Sequence, residues 1–113
     1  MYVFGGKDDE NNKLDDLWKF NFLTKEWTEI RSQPDQNIPC PRSGHTASVY
    51  KNDYILIFGG IYEVTKELND LFVFDMHKEN WICLFEEINS PVRPNLVNLS
   101  SPGLLHKSKS VLA

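Results

Sequence analysis

Cysteine is scarce in this chain of 113 residues. Cys40 and Cys83 are the only two, which excludes a disulfide-dense scaffold, and their spacing fits no metal or redox motif. Two reduced thiols are expected. Long apolar runs are absent: no stretch approaches the ~18 residues that a membrane-spanning helix requires. No basic segment leads into an apolar core and a small-residue cleavage site, so no secretory signal is read and a soluble, cytoplasmic protein is expected. Basic charge is in deficit. Twelve Lys and Arg face sixteen Asp and Glu, for a net charge of −4, which argues against a nucleic-acid partner. Histidine is also rare. His45, His77 and His106 lie too far apart to form a ligand cluster by spacing, so no metal and no cofactor are expected.

Aromatic residues, in contrast, are abundant: seven Phe, four Tyr and three Trp supply a core or an interface. They recur in register. Shifting the chain by 54 positions brings Phe4-Gly5-Gly6 onto Phe58-Gly59-Gly60 and Leu14 onto Leu68. Asp16-Leu17 falls on Asp70-Leu71, Phe20 on Phe74 and Trp27 on Trp81. These are eight identities between positions 4 and 30, and they define an internal repeat.

Each unit reads as short strands. In the second, "HTASVY" (45–50), "YILIF" (54–58), "DLFVFDM" (70–76) and "WICLF" (81–85) are strands, and "KND" and "HKEN" are the turns. The first unit supplies "YVF", "DLWKFNF" and "EWTEI". Trp18, Phe20 and Phe22 share one face of their strand, with Lys19 and Asn21 on the other, which is the pattern of a half-buried strand. Val73 stands where the first unit has Lys19, so the second copy of that strand reads as buried on both sides. Gly59-Gly60 is read as the end of its strand, needing positive φ or close backbone approach. It is not a phosphate loop, because no helix-period segment follows. Four short antiparallel strands at a period near 50 residues point to an all-β chain of β-propeller blades.

"PRSGHTASVYKNDYILIFGG" followed by "LNDLFVFDMHKENW" resembles the kelch repeat, with Gly5, Gly6, Gly59, Gly60, Trp27 and Trp81 at the motif positions. The resemblance covers roughly residues 1–88. It implies an incomplete kelch-type propeller of four-stranded antiparallel sheets. Residues 1–38 make a partial blade of strands two to four, 39–90 a complete blade, and 91–113 a non-repeat tail expected to be mobile. The family's strand order puts the "HTASVY" strand innermost and the tryptophan strand outermost. The loop after the double glycine and the loop before "PRSGHT" then share one face. A chain of fewer than about three repeats is expected to be marginal alone, which leaves self-association through open blade faces as an expectation.

The resemblance implies a protein-interaction scaffold that presents inter-strand loops to a partner protein, and no enzyme. The alternatives are a non-autonomous part of a larger propeller and, least favoured, part of a kelch-type oxidase, for which only His45 is suitably placed. Arg42 is the favoured contact residue, set to meet an acidic partner side chain; its alternative is an arginine tied to neighbouring backbone. Tyr62, Glu63 and Lys66 lie in the loop after the double glycine, and Arg93 stands 12 residues past Trp81, where Arg42 stands 15 past Trp27. Asp16 and Asp70 are read as turn caps, Trp27 and Trp81 as inter-blade packing, Cys83 as a small buried hydrophobe, and "KDDEN" (7–11) as a solvated loop. No catalytic residue is assigned.

Overall fold

The computed structural model describes residues 1–34, 36–64 and 66–86, together with the strand Ser110–Leu112. Eight strands form two four-stranded antiparallel sheets. They are β1 (Tyr2–Lys7), β2 (Lys13–Asn21), β3 (Glu26–Glu29), β4 (Thr46–Tyr50), β5 (Tyr54–Ile61), β6 (Glu67–Asp75), β7 (Asn80–Phe85) and β8 (Ser110–Leu112). The second sheet runs β4-β5-β6-β7, the simple meander that short polar turns between consecutive strands enforce. The first runs β3-β2-β1-β8.

The fourth strand of the first sheet corrects the sequence reading. Of the tail expected to be mobile, Ser110–Leu112 is paired with β1, and it fills the innermost place that the first unit itself does not supply. Its register repeats that of the second blade. Ser110, Val111 and Leu112 face Phe4, Val3 and Tyr2, as Thr46, Ala47 and Ser48 face Phe58, Ile57 and Leu56. The rest of the tail, with Arg93 and His106, lies outside the described residues.

Alternation along each strand gives each sheet two faces. The core lies between the sheets. Phe4, Leu17 and Ile30 of the first pack against Ile55, Ile57, Phe72, Phe74 and Trp81 of the second. Trp81 is the centre of this contact, with ring centroids 5.2 Å from Phe4 and 5.1 Å from Phe74. The outer strand thus packs between the sheets at Trp81. At Trp27 it does not: that ring rests on Phe20 (4.9 Å) and is 50% exposed. The apolar face of β2 is therefore the outer one. Trp18, Phe20 and Phe22 look away from the second sheet, while the Leu17 face meets it.

The double glycines also differ from expectation. They do not end their strands but form a bulge within them, between Phe4 and Gly6 and between Phe58 and Gly60. The bulge lets residues 39–45 cross closely over both sheets. Gly60 has φ +102°, and a Cβ there would stand 2.9 Å from the Ser43 carbonyl oxygen and 3.0 Å from the His45 backbone nitrogen. Both obstacles are backbone. Gly60→Ala is accordingly expected to destabilise the chain by about 2 kcal/mol or more, read as a lower denaturation midpoint at unchanged slope.

Candidate functional site

The two long loops and the segment before β4 meet at one end of the sheets. The crossing segment binds both. Arg42 N–H donates to the Leu14 carbonyl (3.0 Å) and Gly6 N–H to the Arg42 carbonyl (2.8 Å), while Ser43 exchanges backbone bonds with Ile61 (3.2 and 2.9 Å). The shared loop face expected from the strand order is thereby formed. The short turns 51–53 and 76–79 lie at the opposite end, joined by Met76 N–H to the Asp53 carbonyl and by His77 Nε2 to Asp53 Oδ1 at 2.6 Å.

Arg42 is the residue most changed by the structure. It is fully buried, and Asp70 occupies both arms of its fork, with Nη1 to Oδ1 at 2.5 Å and Nη2 to Oδ2 at 2.9 Å. Nε donates to the Cys40 carbonyl and Nη1 also to the Gly59 carbonyl, each at 3.0 Å, and Nη2 lies 3.3 Å from Cys40 Sγ. The guanidinium sits 5.5 Å over the Phe72 ring. Burial alone opposes the charge, but the bonds Arg42 donates to Asp70 and its electrostatic attraction to Cys40 and Asp70 more than offset it and hold Arg42 above its ordinary value. An arginine so enclosed is not open to an incoming carboxylate, so Arg42 leaves the partner surface and becomes a clamp. Its backbone holds the first sheet and its side chain the second.

Asp70 is accordingly an ion-pair partner and not a turn cap. Its recurrence as Asp16 was the available signal. Asp16 has a different role and accepts from Trp18 Nε1 at 2.7 Å.

Tyr62 is also internal. It packs with Cys40 and Leu68 beneath the β5–β6 loop, and its N–H closes that loop onto the Lys66 carbonyl (2.9 Å). The chain above it is exposed: Glu63 projects to solvent, Val64 is 67% exposed, and Lys66 is half-buried. Val64 carries no signal in the sequence, because a single valine between polar neighbours makes no pattern. On the first sheet the matching loop is ordered by Asp8, whose carboxylate accepts from Glu10 N–H (2.8 Å), Asn12 N–H (2.9 Å) and Asn12 Nδ2 (2.8 Å). These bonds hold the Asp8 carboxyl below the usual aspartate range. Away from these loops, where β2 and the segment after β3 approach Trp81, lies a cleft of about 210 Å³, lined by Leu17, Ile30, Ile38 and Trp81 and by Asp15, Asp16, Glu29 and Arg31.

Cys83 is half-buried, and burial raises its thiol pKa, with Glu86 adding to the effect, away from nucleophilic use. Among the described residues, no group of three or more His, Cys, Asp or Glu is placed to hold a metal ion. His45 lies at the blade junction, 5.3 Å edge-on to Phe4.

Two repeated four-stranded sheets, stacked through a tryptophan and joined by an arginine-bearing crossing segment, are a pair of propeller blades. The chain belongs to the kelch-repeat family: residues 1–95 match the model of the KLHDC2/KLHL20/DRC7 Kelch-repeats domain. It is 39% identical over 82 residues to the Rho GTPase-activating protein gacHH of Dictyostelium discoideum, covering 72% of this chain and 5% of that protein. It is 37% identical over 81 residues to acyl-CoA-binding domain-containing protein 5 of Arabidopsis thaliana, covering 72% and 12%. It is 31% identical over 81 residues to kelch domain-containing protein 2 of Bos taurus, covering 72% and 19%. The chain thus spans less than a fifth of the length of each of these relatives. A kelch-repeat domain is generally an interaction domain and not a catalytic one.

Proposed function

We propose that the chain is a protein-interaction module whose contact surface is the loop face, centred on Glu63, Val64 and Lys66. The observation that carries this reading is Val64, an apolar side chain held 67% exposed at the tip of a loop whose base is locked by Tyr62, Cys40 and Leu68. Preorganised apolar tips lower the entropy cost of binding. Exposed acidic residues nearby, Asp9, Glu10 and Glu63, favour a partner with basic contact residues.

The test uses a photo-crosslinking residue at position 64 and, as control, at position 52 on the opposite end. A protein captured from position 64 alone is then purified. The double substitution Glu63→Lys and Val64→Asp is expected to weaken its binding about tenfold or more, mostly through dissociation. Equal capture from both positions, or unchanged affinity of the double variant, overturns the reading.

A further inference from the structure

Both ends of the two-blade stack present apolar sheet faces, and the two faces differ. On the first blade the free face carries Trp18, Phe20 and Trp27, with Phe20 contacting both Phe22 (5.5 Å) and Trp27 (4.9 Å). On the second blade the free face carries Leu56, Phe58, Val73, Ile82 and Leu84. Among these Phe58 is 49% exposed and Leu84 60%, and the face holds an apolar depression of about 430 Å³.

The 54-residue repeat says how such faces fit. Trp27 and Phe20 correspond to Trp81 and Phe74, which form the buried face of the second blade. Phe58 and Leu71 correspond to Phe4 and Leu17, the surface on which that face rests. The one interface inside the chain is therefore a contact between a tryptophan face and a phenylalanine face. Among the described residues, one copy of each face is left exposed.

We propose that the chain associates head to tail with a second copy of itself, the Trp27 face of one seating on the Phe58 face of the next as Trp81 seats on Phe4. The contact is heterologous, since different patches meet, and the stack extends until rotation closes it into a ring. Val73, itself buried, lines the apolar depression on the free face, where the internal interface has Lys19 at the corresponding position.

Sedimentation of the full chain with two single variants tests this. Trp27→Glu disables one face and Phe58→Glu the other. Both positions are half-exposed, so the fold should survive, and near-UV circular dichroism checks that it does. The wild-type mass is expected to rise with concentration. Each variant alone should stay monomeric, with a dissociation constant raised about tenfold or more. An equal mixture of the two should give a one-to-one dimer and nothing larger, because each supplies the face the other lacks. A symmetric interface would instead let one variant pair with itself, which overturns the proposal. So does a wild-type monomer at all concentrations. If Trp27 fluorescence in that monomer is shielded from acrylamide, the face is covered from within the same chain. If it is quenched, the face is simply bare.

Discussion

Asp70→Ala is expected to destabilise the chain by about 3–5 kcal/mol, because it leaves the Arg42 guanidinium enclosed with no countercharge. Arg42 is fully buried, and its remaining acceptors are two backbone carbonyls and a sulfur. A domain of this size has only about 5–15 kcal/mol in hand, so urea unfolding should shift to a much lower midpoint or vanish. Two companion variants separate charge from packing. Arg42→Lys keeps the charge but cannot satisfy both carboxylate oxygens, and should recover little. The paired replacement Arg42→Met with Asp70→Leu removes both charges and should recover most of the stability, since the pair's desolvation cost disappears with it. If Asp70→Ala unfolds at the wild-type midpoint, the clamp is not what joins the blades.

Trp81→Ala is expected to cost a similar 3–5 kcal/mol, whereas Trp27→Ala should cost under about 1 kcal/mol in the monomer. The two tryptophans occupy the same repeat position, so sequence alone predicts equal effects. Their surroundings separate them. Trp81 is 6% exposed and wedged between Phe4 and Phe74, so truncation opens a cavity in the single core the sheets share. Trp27 is half in solvent and touches one ring of its own sheet. Thermal melts at low concentration provide the comparison. Equal losses would mean that Trp27 is buried in solution and that the free face is already covered.

The fold was legible because repetition amplified weak signals. A single "YILIF" cannot be told from a helical segment by pattern, but two aligned copies with glycines and tryptophan in phase can. What escaped was of two kinds. Sidedness was misjudged for β2: the Trp18, Phe20 and Phe22 stripe is the more apolar, yet the Leu17 face is buried, because which face meets a neighbour depends on where that neighbour sits. Long-range partners were also out of reach. Arg42 and Asp70 stand 28 residues apart with nothing local to link them, and an arginine in a loop motif reads equally as clamp or as contact. The same holds for β8, whose three residues carry no strand signal of their own and are placed by the open edge of β1.

That placement has a consequence for the order of assembly. The first sheet begins at Tyr2 and is completed at Leu112, whereas every strand of the second lies between Thr46 and Phe85. During synthesis the later blade is therefore finished earlier, and the edge of β1 waits for residues made after it. Closing so long a stretch of chain is slow relative to forming hairpins. The last event in folding is thus expected to join the two most distant parts of the described chain.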